Sequence, residues 1–300
     1  MTKNVPFILC DVFTNIQFEG NQLAVFPDAG SLTCSEMQKI AAEFNFSECT
    51  FVFEGDGVAS HHVRIFTPTH EVPFAGHPNV GTAYVLATYP QLSKLPLRFK
   101  FREAAGLVDV NVSSSDRGIF CEIQAPEPLS IGEALQPSDV SAALGLKNDE
   151  IDTDCHPPVI ASVGLPFIVA CVTSRVALSK AMIDMAGFHS ISDNYSCSDI
   201  LIYWRDPGGI IHTRVFAPLD NVPEDPATGS ANGALVALLS EKEPSQESER
   251  LFKVHQGDDM GRPCRLFLRT VKNNQGGTDV YIGGQAKIVG DGNMIVEASA

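Results

Sequence analysis

Hydrophobic residues along this chain fall into short runs of distinct periodicity. "FILCDVF" (7–13) and "PVIASVG" (158–164) are apolar and β-branched, and read as buried strands. Segment 35–45, "SEMQKIAAEFN", places Met37, Ile40, Ala41 and Phe44 on one face of a helix. "CTFVF" and "HVRIF" in the first half, and "ILIYW" and "HTRVF" in the second, read as strands. Two segments, "GTAYVLATY" (81–89) and "GSANGALVALLS" (229–240), are apolar on every side. A helix of that kind must be buried all round. Later runs such as "LVDVNV", "IFCEIQ", "RLFLRTV" and "DVYIGGQAKIV" read as strands separated by Gly- and Asn-containing turns. "KEPSQESER" (242–250) reads as a polar surface loop. The pattern predicts an α+β fold in which strands, in a mixed sheet or barrel, wrap one central apolar helix, and do so twice.

The repetition is visible in the residues themselves. His62, Arg64, Phe66, Pro68, Val72 and Pro73 match His212, Arg214, Phe216, Pro218, Val222 and Pro223. After a gap, Pro78, Gly81 and Ala83 match Pro226, Gly229 and Ala231, which sets His77 opposite Asp225 and Thr82 opposite Ser230. Two weaker echoes extend the match. "GNQLAVF" (20–26) resembles "GLPFIVA" (164–170), and "FSECTFVF" (46–53) resembles "CSDILIYW" (197–204), putting Glu48 opposite Asp199. Self-similarity with only two copies indicates a duplicated, pseudo-twofold pair of domains rather than a solenoid. The first is expected at 1–118, with the C-terminal strand as its candidate completion, and the second at 119–300.

Composition narrows the partners. At 300 residues, with 44% hydrophobic and 19% charged residues, the chain is globular. Its net charge of −15 argues against nucleic acid or an anionic membrane, both of which need a basic face. The N-terminal stretch has no apolar run fit for a signal peptide, and nothing approaches a membrane span, so a cytoplasmic location is expected. The 8 cysteines are scattered without a C-x-x-C pair, which reads as reduced thiols rather than a disulfide framework. Metal-ligand spacing is lacking as well: His61 and His62 are neighbours in a strand and point to opposite faces.

The repeated motif is the candidate site. The first turn of a helix offers backbone N–H groups without internal partners at the positive end of its dipole. Gly76 and Gly229 would let a ligand approach the backbone, and Ser230 and Thr82 add hydroxyls. Two such helix starts, facing each other across a cleft, could hold a carboxylate without lysine or arginine. A duplicated scaffold needs only symmetry to fold, whereas an asymmetric substrate needs different groups on its two sides. His77 can exchange a proton near neutral pH, Asp225 can balance a substrate amine, and Glu48 lies between apolar residues where a helix gives way to a strand. A carboxylate in such surroundings has its pKa raised and can serve as a general base; on the pattern alone, an exposed turn glutamate is the better reading.

The blocks "DVFTNIQFEGNQLAVF" (11–26), "MQKIAAEFNFSECTFVF" (37–53), "RIFTPTHEVPFAGHPNVGTA" (64–83), "EDPATGSANG" (224–233) and "QGDDMGRPCRLF" (256–267) resemble the PhzF family of phenazine-biosynthesis isomerases, in family order. The resemblance implies a diaminopimelate epimerase-like fold. It implies Glu48 as catalytic acid/base, His77 and Asp225 flanking the substrate, and Ser47, Gly76, Gly229 and Ser230 holding it. It further implies proton movement within a small unsaturated, cyclic amino acid, a small anionic metabolite as ligand, no cofactor or metal, and a homodimer. Related epimerases and racemases use a cysteine from each half; neither helix start here carries one. A single carboxylate base therefore fits better than a thiol pair, with an amino-acid racemase or epimerase, or a non-catalytic metabolite binder, as the competing readings.

Overall fold

The computed structural model describes residues 2–115, 118–243, 245–274 and 276–297. The first half of the chain contains β1 (Lys3–Val12), β2 (Asn21–Phe26), α1 (Cys34–Phe44), β3 (Glu48–Glu54), β4 (His61–Phe66), β5 (Glu71–Val72), α2 (Gly76–Thr88), β6 (Leu97–Glu103), β7 (Gly106–Ser115) and β8 (Gly118–Gln124). There follow β9 (Ser130–Ala134), α3 (Pro137–Ala143), β10 (Ile151–Asp152), β11 (Val159–Ser162), β12 (Pro166–Val172), α4 (Arg175–Lys180), α5 (Met185–Asn194), β13 (Ile200–Arg205), β14 (Ile211–Ala217) and β15 (Val222–Asp225). The chain ends with α6 (Gly229–Lys242), β16 (Glu249–Gln256), β17 (Cys264–Lys272), β18 (Thr278–Gly284) and β19 (Ala286–Val296). It divides into two units, Met1–Pro126 with Gly283–Ala300, and Glu127–Ile282. The fold is mixed α+β.

In the first unit β1 lies antiparallel between β19 and β2. β2 runs parallel to β3, β3 antiparallel to β4, and β4 parallel to β6, which continues antiparallel to β7 and β8. Each parallel step requires a crossover, and a helix supplies both. α1 makes the first. Thr33 caps it, its hydroxyl accepting from the Glu36 N–H while the Glu36 carboxylate accepts from the Thr33 N–H. Its apolar face, Met37, Ile40 and Ala41, packs on Phe26, Phe51 and Phe66. α2 makes the second crossover and is the predicted central helix, in contact with β1, β2, β3, β7, β8 and β19.

The second unit repeats this plan. β12 runs parallel to β13, β13 antiparallel to β14, β14 parallel to β16, and β16 antiparallel to β17. α4 and α5 occupy the place of α1, and α6 that of α2. Every residue of α6 from Gly229 to Leu239 is buried, as the all-round apolar pattern requires.

Strand pairing fixes how the two copies correspond, and it corrects one expectation. Ala24 pairs with Cys49, and Ile168 with Ile200, so both weak echoes hold and Glu48 does correspond to Asp199. Beyond β4 and β14 the register differs from the one read in the sequence. Ile65 pairs with Val72, and Val215 with Asp225. Arg64 holds Glu71 through two hydrogen bonds, and Arg214 holds Glu224 in the same way. The Asn79 amide donates to the Ala75 carbonyl one turn back, and the Asn232 amide to the Thr228 carbonyl. Asp225 is thus the counterpart of Val72, and His77 of Ser230; His77 and Asp225 do not occupy matching positions. The second copy has extra residues in a short 3-10 turn, Pro218–Asp220, closed by Asn221 in the left-handed region at φ 62°. Val-Pro and Pro-Gly are turn chemistry, favoured wherever a strand hands over to a helix. They recur without marking equivalent positions.

Candidate active site

In the first unit the fold brings Glu48 and His77 together. β3 begins at Glu48, after α1 has ended and Asn45 has taken the left-handed conformation at φ 52°. Strand alternation then sorts the side chains. Cys49 and Phe51 enter the apolar layer under α1, while Thr50 faces α2 and accepts a hydrogen bond from the Thr82 hydroxyl at 2.9 Å. Glu48 shares the face of Thr50. Its Oε2 lies 3.3 Å from Nδ1 of His77, the second residue of α2. Both are sheltered, with side chains 18% and 3% exposed.

This contact is not an ion pair at neutral pH. Burial pushes the His77 pKa down to about 3, and a backbone hydrogen bond with Gln22 offsets only part of that. The ring is neutral, and its Nδ1 serves one partner at a time. As N–H it donates to the Glu48 carboxylate. As a bare lone pair it accepts from the side-chain amide of Asn21, 3.4 Å away. Asn21 opens β2 directly after Gly20, whose φ is +74° and whose Cβ would stand 2.5 Å from the Val12 carbonyl oxygen. Only glycine fits there, and it turns the chain so that Asn21 reaches His77. Asn21 carries no signal of its own in the sequence, since its partner is distant along the chain. Ser47, half-buried, precedes Glu48 in the turn before β3.

In the second unit the residues around the start of α6 form a separate polar group. Asp225 is buried, and its Oδ2 accepts a 2.6 Å hydrogen bond from the Thr228 hydroxyl. Gln256, buried at the end of β16, ties strand to helix. Its amide donates to the Asp225 carbonyl oxygen at 2.8 Å, and its Oε1 accepts from the Thr228 N–H at 3.2 Å and from the Asn232 amide at 2.6 Å. Gly257 follows at φ +78°, with a Cβ position 2.2 Å from the Arg262 carbonyl oxygen, so the turn after Gln256 also demands glycine. Gln256 has no signal in the sequence; the parallel pairing of β14 with β16 is what brings it to the start of α6. Ser230, the second residue of α6, is buried.

Neither central helix has a side-chain cap. Ala75 precedes α2 and Thr228 precedes α6, and neither side chain bonds into the first turn. The Thr228 hydroxyl is instead committed to Asp225. The first turns at Gly76 and Gly229 are buried without the cap a helix start ordinarily carries.

The thiols stand apart from this chemistry. Cys49 is fully buried on the opposite face of β3 from Glu48, and burial pushes its thiol well above the usual range. Cys10, Cys121 and Cys264 are buried and raised likewise. Among the described residues no helix is long and apolar enough to cross a membrane.

Comparison with known proteins bears on the family and the fold. The family model described as "Phenazine biosynthesis-like protein", PhzC-PhzF, matches residues 10–292. An uncharacterized isomerase of Mesorhizobium japonicum is 34% identical, over 98% of this chain and 99% of its own. The trans-2,3-dihydro-3-hydroxyanthranilate isomerase of Pseudomonas chlororaphis is 30% identical, over 97% and 99%. The fold matches the crystal structure of a PhzF-family phenazine biosynthesis protein from Bacillus anthracis with a TM-score of 0.90, at 24% identity, over 98% of this chain and 100% of that one. A family model matched over residues 10–292 and a relative 34% identical almost end to end leave one assignment: the chain belongs to the PhzC-PhzF family of phenazine biosynthesis-like proteins.

Proposed function

We propose that this PhzF-family isomerase moves a proton within a small unsaturated carboxylic acid of the cyclic amino acid type, with Glu48 as the single acid/base and no cofactor. The observation that carries the reading is the Glu48–His77 contact: a sheltered carboxylate 3.3 Å from a neutral, buried imidazole. Neutral His77 does not clamp the carboxylate as a cation would. Its Nδ1–H orients the carboxylate when Glu48 is ionised, and can still donate to the unprotonated oxygen of the acid once Glu48 has taken a proton. Glu48 can then take a proton from one carbon and return it to another without a second base. Ser47 and the uncapped first turn at Gly76 supply donors for the substrate in the first unit. Asp225, for a substrate amine, and the start of α6 at Gly229 and Ser230 are assigned the same substrate-holding task. The raised, buried thiols speak against a two-thiol racemase mechanism.

Solvent exchange tests this directly. In D2O the protein is expected to incorporate deuterium into trans-2,3-dihydro-3-hydroxyanthranilate or a trial cyclic amino acid, and Glu48→Gln should abolish the exchange while binding persists. Exchange that survives Glu48→Gln would sink the carboxylate mechanism. Absence of exchange, with binding intact, would favour a metabolite-binding protein.

A further inference from the structure

One cluster of reactive side chains lies outside the groups assigned above. In the second unit the sulfur atoms of Cys155 and Cys171 and a carboxylate oxygen of Asp152 all lie within 4.8 Å of one another. Asp152 and Cys171 are cross-strand partners on β10 and β12, and Cys171 pairs in turn with Tyr203 on β13. Cys155 sits in the bend beyond β10 and is exposed, while Cys171 is buried. Sγ of Cys155 is 3.3 Å from the Tyr203 hydroxyl, which is also 2.9 Å from Nε2 of His156. Nδ1 of His156 lies 2.7 Å from the Pro157 carbonyl oxygen and must donate to it, so in the neutral ring Nε2 is the acceptor. Thiol, phenol and imidazole thus form a chain along which a proton can leave Cys155. The Tyr203 proton passes to His156 as the thiol proton passes to Tyr203, leaving a thiolate that accepts from the phenol. Hydrogen bonding from Cys171, helped by Tyr203, pulls the Cys155 pKa down, whereas the bond to Cys155, followed by burial, pushes Cys171 up.

We infer that Cys155 and Cys171 are a peroxide-reactive thiol pair, with Cys155 the attacking thiol and Cys171 the resolving one. Two features separate them from the other cysteines. Cys10 and Cys121 also lie near each other but are both buried, beyond the reach of an oxidant. Cys34 is exposed but faces the Arg64 guanidinium rather than a second thiol. The Cys155 thiolate attacks hydrogen peroxide, breaking the O–O bond. It becomes a sulfenic acid, and the hydroxide released takes a proton to form water. The Cys171 thiol then displaces the sulfenic hydroxyl, releasing a second water and closing the disulfide. Two thiols and one peroxide thus give one disulfide and two waters. The cross-link would tie the bend after β10 to β12.

The test uses the full chain, treated with chelator and dithiothreitol, desalted, and exposed to hydrogen peroxide. Free-thiol titration and non-reducing peptide mass spectrometry are expected to report the loss of two thiols per chain and one new cross-link, between Cys155 and Cys171. Cys34→Ser should behave as the parent does. Cys155→Ser should lose thiols at least about tenfold more slowly, because the exposed thiolate is the reactive species. Cys171→Ser should accumulate a dimedone-trappable sulfenic acid at Cys155, a readout that survives even where the cross-link cannot form. A cross-link between other residues would overturn the inference, as would an unreactive Cys155 or no sulfenic acid in Cys171→Ser. Two thiols and a carboxylate are also a donor set for a soft divalent metal. Isolation with one tightly held zinc per chain, lost in both variants, would overturn it in favour of a metal site.

Discussion

Glu48 and His77 illustrate how much a single buried contact depends on protonation. Had His77 been a cation, Glu48 would be held ionised and would make a poor proton shuttle. Burial settles the matter by keeping the ring neutral to about pH 3. The 15N shifts of the His77 ring should therefore report a neutral tautomer from pH 7.5 down to about 5, far below the ordinary histidine midpoint near 6.5. A ring that titrates near 6.5 would contradict this picture of the site. On the mechanism proposed above, removing the Glu48 carboxylate should be the more damaging change. Glu48→Gln keeps shape and can still bond to Nδ1, but it cannot carry the proton. Turnover is expected to fall by about a hundred- to ten-thousand-fold, the range for general acid–base groups, with little change in binding. His77→Asn should cost less, because it disturbs the orientation of Glu48 and leaves the carboxylate in place. Equal losses would assign His77 a direct part in the chemistry.

At the scale of elements, the two central helices were the most legible feature of the sequence, because a helix apolar on every side has only one place to go. Their packing differs in closeness. A Cβ at Gly81 of α2 would lie 2.5 Å from Leu23 and 2.7 Å from Val12, both fully buried. A Cβ at Gly233 of α6 would lie 3.1 Å from Ile282 and 3.2 Å from Val163. Gly81→Ala should therefore destabilise by about 1–3 kcal/mol, as overpacking does. Gly233→Ala should fall near neutral, since the helix propensity gained, about 1 kcal/mol, offsets a contact that small shifts relieve. Urea unfolding measures both; comparable losses would show that closeness of approach is not what the glycine serves. The register between the copies was less legible. In the sequence, identical turn residues align His77 with Asp225, whereas the strand pairing that decides equivalence aligns it with Ser230. Asn21 and Gln256 were invisible for a related reason. Each acts through partners that only the fold brings near. Gln256→Glu makes the point testable: it replaces the amide that donates to the Asp225 carbonyl oxygen by an acceptor. A loss of about 1–3 kcal/mol is expected, the cost of leaving a buried polar group unsatisfied. A variant as stable as the parent would mean that this network does not hold the start of α6.

Across the whole molecule, acidity and burial combine to set the pH range of stability. His77 and Glu103 pull in opposite directions. His77 has its pKa lowered to about 3 in the fold, against an ordinary value near 6.5. Between those values the unfolded chain binds the proton and the folded one does not, so stability falls as pH drops through that window. Glu103, at the end of β6, is 8% exposed, and burial raises its pKa to about 8, with the Asn79 side chain of α2 offsetting only part. Here the folded state holds the proton that the unfolded chain has lost above about 4.5, so the contribution is complete below that value and is lost as pH rises toward 8. Asp199, raised to about 7 first by burial and then by the Asp220 charge, adds to the same alkaline loss. The net charge of −15 works in this direction too, through general repulsion. One substitution separates the specific term from the general one. Glu103→Gln keeps the shape and the neutral state of the side chain, removes a single ionisation, and barely alters the overall charge. Unfolding free energies from urea titrations at pH 5, 7 and 8.5 should fall steeply for the parent and less for Glu103→Gln. The two curves should converge at pH 5 and separate by an amount on the order of a few kcal/mol at pH 8.5. Parallel curves would assign the alkaline loss to overall charge alone and would mean that Glu103 ionises in the fold at the ordinary carboxylate value.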